Sequence, residues 1–136
     1  MSVIWYRCGY KYQLVSDYTT YVNVAPKWVI KNEYLSLDTE GKLSIRAGYA
    51  WDGPSGPTWD SKNSMRGSLV HDALYQLMRE ELLSPHFRKK ADKELYRICV
   101  EDGMWRWRAH LWYLAVSKLA GPASSPTNNR AACSAP

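Results

Sequence analysis

The sequence has 136 residues, with 18 Lys and Arg against 13 Asp and Glu, a formal charge of +5. That length allows one domain with a modest core, and the mild positive balance favours anionic partners without choosing among lipid, protein and nucleic acid. Cys8, Cys99 and Cys133 are too few and too scattered for a disulfide scaffold, and they fit folding in a reducing compartment.

Other classes fall away on pattern. No zinc-finger spacing, RNA-binding aromatic motif or long basic run occurs, so nucleic acid is not expected as a partner. No run of about 20 apolar residues is present, so no transmembrane segment is expected. The opening run MSVIWYRCGY lacks a long apolar core, so no secretion signal is expected either. The aromatic set is unusual: seven Trp and ten Tyr against one Phe. Both common types are amphipathic, suited to a small core or to a wet contact surface.

The first part of the chain alternates short β-forming runs at residues 10–15, 21–24, 34–37 and 42–47. Asp38-Thr39-Glu40-Gly41 reads as the turn of a hairpin between the last two. A small N-terminal antiparallel sheet is expected. Residues 48–60, GYAWDGPSGPTWD, form a loop, because Gly48, Gly53, Gly56, Pro54 and Pro57 interrupt regular structure. Loops of that length are often functional.

Three helices follow. The first is expected from about Asn63 to Glu80, with Met65, Leu69, Ala73 and Leu77 inward. Ser84-Pro85 caps the second, which runs to about Asp102 with Phe87, Ala91, Leu95, Ile98 and Cys99 along one side. Gly103 stops it. The third covers about Trp105 to Ala120, with Trp105, Ala109, Trp112, Val116 and Leu119 inward. The fold class is therefore α+β: one domain over residues 1–121, a three-helix C-terminal half, and a polar tail at 122–136.

His71-Asp72, Tyr75 and Asp92 carry the chemistry. His71 and Tyr75 share a helix face, with Ser64, Gly67 and Ser68 on or near it as small residues leaving room beside the imidazole. If the first two helices pack antiparallel across residues 81–84, Asp92 approaches His71 and Tyr75. His71 then acts as general base on a water, Asp92 orients its ring, and Tyr75 adds a hydroxyl bond. Asp72 and loop oxygens suit a hard cation such as Ca2+, with Asp52 a further ligand. The bland alternatives are a satisfied core histidine, an Asp92–Arg88 surface pair and a structural loop. No histidine precedes His71, which disfavours a two-histidine phosphohydrolase.

Two resemblances follow from these segments. GYAWDGPSGPTWD, SLVHDALYQLMRE, and ADKELYRICVEDGM followed by RAHLWY resemble, in this order, an uncharacterised family of tailed-phage and prophage proteins, across residues 10–121. That implies a viral origin, presence in the host cytoplasm during infection or in the virion, and no established activity. A glycine-rich loop, HDALY and a later helical Asp also resemble secreted-type phospholipase A2, particularly its short bacterial members. That resemblance implies an antiparallel helix pair, His71 as base, Asp92 as its partner, Tyr75 as support, and Asp72 on calcium with the carbonyls of Trp51, Gly53 and Ser55. The chain departs from it in lacking cysteines beside His71-Asp72 and in carrying prolines in the loop.

Two function classes follow. One is a calcium-dependent hydrolase of an ester, plausibly a phospholipid, with Trp105, Trp107, Trp112, Arg106 and Arg108 contacting an anionic membrane surface, the bland alternative being that Trp105 and Trp112 are core and Trp107 and the arginines a solvated face. The other is a non-enzymatic virion component, such as a tail, connector or minor capsid protein, that binds other phage structural proteins and uses the loop and His-Asp pair as a clasp.

Overall fold

The computed structural model of the protein describes residues 4, 6–7, 12–51 and 62–119. Seven short strands precede three helices: β1 (Tyr6–Arg7), β2 (Tyr12–Leu14), β3 (Tyr18–Tyr21), β4 (Ile30–Lys31), β5 (Leu35–Leu37), β6 (Lys42–Ile45), β7 (Ala50–Trp51), then α1 (Lys62–Arg79), α2 (Arg88–Glu101) and α3 (Arg106–Leu119). The α+β class and the helical C-terminal half are as the sequence implies.

The β half is two antiparallel sheets rather than one, ordered β1-β2-β7 and β3-β6-β5-β4. They are halves of one long ribbon. Tyr12 pairs with Trp51, Tyr18 pairs with Ile45, and the register is the same on both sides of the break. At the break the Leu14 N–H donates to the Tyr49 carbonyl, and the Ala47 N–H turns aside to the Asp17 carboxylate. Gly48, at φ 98°, makes the corner. The corner turns the ribbon so that both halves face the helices.

The strand expected at 21–24 lies at Tyr18–Tyr21 instead. Val22 still donates to the Gly41 carbonyl, but the next amide, Asn23, donates to Glu94 on α2. The chain leaves the ladder to satisfy a buried carboxylate. The expected turn at residues 38–41 is present: the Asp38 carboxylate accepts from the Glu40 and Lys42 amides, and Gly41 takes φ 88°.

Leu35, Leu37, Leu43, Ile45, Ile30 and Tyr18 turn one face of the larger sheet onto α1. Alternation along the strands puts them on that face, with Ser36 and Ser44 between them. α1 lies between this sheet and α2, and its residues from Ser64 to Met78 are buried apart from Asp72. α2 and α3 enclose a second cluster of Leu95, Cys99, Met104, Ala109, Trp112 and Val116. Burial, then the charge of Asp102, pushes the Cys99 thiol up to about 12, so it is a protonated core residue as expected.

The expected helix boundaries hold to within a few residues. Ser84 caps a single 3-10 turn over Pro85–Phe87 before α2 begins. Gly103 ends α2 at φ 102°, with the Met104 amide closing back onto the Cys99 carbonyl. That cap delivers Met104 to the core in place of Trp105. Trp105, expected inward, is 71% exposed. Leu119's side chain and the tail at 122–136 lie outside the described residues.

Arg66 ties the layers together. Only 4% exposed, it donates to the Tyr18 hydroxyl on the sheet and to Asp102 and Glu101 at the end of α2.

A methyl group on Gly41 would sit 2.3 Å from the Val22 carbonyl oxygen, at a backbone angle that already disfavours a side chain. Gly41→Ala should therefore lose about 2 kcal/mol or more in urea unfolding.

Candidate functional site

α1 carries most of the site because it is buried on nearly every side. A polar residue there cannot turn to water, so it must meet a partner from the sheet or from α2. His71 is 5% exposed and meets Asp92. Its Nε2 lies 2.8 Å from Asp92 Oδ1. An ionised carboxylate only accepts, which places the ring proton on Nε2. The opposite ring nitrogen, Nδ1, is 3.9 Å from Asp72 Oδ1, beyond hydrogen-bond length.

Tyr75, one turn along, donates its hydroxyl to the same Asp92 oxygen at 2.6 Å. Its ring lies against the His71 ring, 4.2 Å between centroids. Burial first, and then Asp92, push the Tyr75 hydroxyl far above its ordinary value, so it stays a donor.

Asp92 is 1% exposed and satisfied from three sides. Besides His71 and Tyr75 on Oδ1, Ser117 of α3 approaches Oδ2 at 3.4 Å. Arg88, one turn ahead on α2, donates to the Ser117 carbonyl at 3.2 Å. The alternative in which Asp92 is merely a surface partner of Arg88 does not fit this burial. Ser117 was not legible as a site residue, because a lone serine on a third helix carries no spacing signal.

The geometry thus brings His71, Asp92 and Tyr75 together, with half-exposed Asp72 at the edge. It also corrects one expectation. Gly67 does not open space beside the imidazole. A methyl group there would lie 2.8 Å from Cys99 Sγ and 3.3 Å from the Leu95 carbonyl. Gly67 lies where α2 packs tightly on α1, and that approach helps set Asp92 within reach of His71. Ser68 is likewise occupied, accepting from Trp51 Nε1 at 3.1 Å and donating to the Met65 carbonyl.

Of the cation ligands expected, Asp72 and Trp51 are described. Trp51 ends β7 with its ring against Tyr12, and its bond to Ser68 anchors that end of the sheet one helical turn ahead of His71. Asp52, Gly53 and Ser55 lie outside the described residues. Among the described residues no group of three His, Cys, Asp or Glu side chains could hold a metal ion. Asp72 supplies one hard oxygen donor, and a calcium site needs several more.

His71 titrates unusually. Burial opposes its charge, but Asp72 and Asp92 outweigh that and raise its pKa above the ordinary 6.5. His86 and His110 are exposed, as expected of surface histidines.

Comparison with protein-family models, with curated proteins and with solved structures finds no match to the chain. No helix among the described residues is long and apolar enough to cross a membrane.

Two outcomes follow. Asp92→Ala strands the buried imidazole and the Tyr75 hydroxyl, and should cost about 3 kcal/mol in chemical unfolding. His71 holds its proton to higher pH when folded than when unfolded. The stability from its charged pairing is therefore complete below about pH 6.5 and is lost as pH rises through the raised folded value. Unfolding free energies across that window should fall with pH in the wild type and stay flatter in His71→Gln.

Proposed function

We propose that the protein is a hydrolase of carboxylic esters in which His71 is the general base. The observation that carries this reading is the His71 contact pattern: Nε2 held by a buried carboxylate, Nδ1 turned toward half-exposed Asp72. A general base needs one nitrogen fixed and the other available to a proton. Asp92 fixes the tautomer and compensates the positive ring formed when Nδ1 takes that proton. Tyr75 keeps Asp92 from rotating.

The chemistry runs in two steps. A water beside Nδ1 gives its proton to His71 as its oxygen bonds to the ester carbonyl carbon. The tetrahedral adduct then collapses, the C–O bond to the alcohol breaks, and His71 returns the proton to the departing oxygen. Acid and alcohol are the products, and His71 ends neutral.

A calcium ion on Asp72, with oxygens from residues 51–55, is part of the proposal. Bound there, it would offset the negative charge that develops on the carbonyl oxygen. The resemblance of HDALY and the later Asp92 to short bacterial phospholipases A2 supports a phospholipid as the ester. The resemblance to tailed-phage proteins would place the reaction at the host envelope during entry or lysis.

The test is turnover on p-nitrophenyl acyl esters and on phosphatidylglycerol vesicles, with millimolar calcium and with chelator. Wild type should hydrolyse at least one, and His71→Gln should lose about 10²–10⁴-fold in rate while staying folded. The rate should climb with pH through a midpoint above the ordinary histidine value, since only neutral His71 accepts a proton. Equal rates in both proteins, or none in either, would sink the enzyme. They would shift the reading to the virion-component role with His71 and Asp92 as a clasp.

A further inference from the structure

The proposed chemistry leaves the outer face of α3 unused. Ala109, Trp112 and Val116 face the core. On a helix, Trp107, Leu111, Leu114 and Lys118 fall on the opposite side, and all four are exposed. Trp107 is 60% exposed, and Trp105 lies beside it with ring centroids 6.1 Å apart. A helix of a small domain normally turns a polar face outward, and α3 is apolar on both sides.

The charge on this element is one-sided. Arg106, Arg108 and Lys118 lie on it, and no Asp or Glu follows Asp102 anywhere in the sequence. Two copies of such a face would oppose like charges, so self-pairing is disfavoured. An anionic surface complements it. Paired Trp rings at one end, leucines along the same face and flanking basic residues are the composition of a helix lying in a membrane interface.

We propose that the outer face of α3 docks the protein on anionic lipid bilayers, with Trp105, Trp107, Leu111 and Leu114 entering the headgroup region and Arg106 and Lys118 pairing with lipid phosphates. The docking requires neither turnover nor calcium. It therefore stands apart from the hydrolase reading and can fail or succeed independently of it.

The experiment is co-sedimentation of the full chain with vesicles in chelator, comparing phosphatidylglycerol mixtures with pure phosphatidylcholine. Binding is expected to the anionic vesicles, weakening as salt rises. The Trp105→Ala/Trp107→Ala protein should bind about tenfold more weakly. Arg106→Glu/Lys118→Glu should weaken binding by about fivefold or more per charge. Trp28→Ala removes an equally exposed tryptophan on the β half and should leave binding unchanged. Absence of binding to anionic vesicles would overturn the proposal. So would binding undiminished in both α3 variants. A concentration-dependent dimer that Trp105→Ala/Trp107→Ala abolishes would overturn it too, because a second copy would then cover the face.

Discussion

Everything in this fold depends on a central helix with almost no free side. α1 touches the larger sheet on one flank and α2 on the other, yet it carries Arg66, Ser68, His71 and Gln76 among its buried positions. Each unpaired polar group there would cost on the order of 1–3 kcal/mol. The partners therefore come from every neighbouring layer. Tyr18 and Asp102 meet Arg66, Trp51 meets Ser68, Asp92 meets His71, and Tyr49 meets Gln76, which donates in turn to Glu80. The apolar contacts hold the layers together, and these polar contacts fix how they register.

Gly67 is the geometric condition for that arrangement. Without a side chain it lets Leu95 and Cys99 approach the α1 backbone, drawing α2 inward one turn from His71. Asp92 is carried in with it. The same contact that satisfies a buried imidazole then biases its proton affinity upward. Stability and chemistry pull in different directions here. The charged pair is the more stabilising state, while a base must be neutral to accept a proton. If His71 is the base proposed above, the site would work best where pH has begun to loosen its own clasp.

The helices were legible in the sequence because their apolar spacing and their stops, Ser84-Pro85 and Gly103, are local signals. The His71–Asp92 meeting was legible for a related reason: a short link between two helices forces them antiparallel, which brings the helix faces on either side of residues 81–84 together. The β half was less legible. Two-residue strands such as β1, β4 and β7 are too short to show a period. The displacement of the strand at 21–24 depends on Asn23 reaching Glu94, a partner 71 positions away. Trp105 was misplaced because periodicity ignores the cap that ends α2 and hands the inward position to Met104. Arg66 gave no sign of burial, since an arginine on a helix reads as surface until its three partners are seen together.

α3 has two chemically distinct sides. Its inner side reaches Asp92 through Ser117 and receives Arg88 on its backbone, while its outer side presents tryptophans and leucines to the surroundings. The angular separation of these positions on one helix keeps the roles chemically independent. Trp107 and Leu111 contribute nothing to holding Asp92, and Ser117 lies off the outer stripe. A surface docked on α3 would thus sit one helix away from the His71–Asp92 pair, with the backbone of α3 as the shared support. Apolar exposure on the outer side of a helix whose inner side is already buried lowers solubility and adds nothing to the core, so folding alone does not account for it. The proposed anionic interface would, because it rewards the tryptophans, the leucines, Arg106 and Lys118 at once.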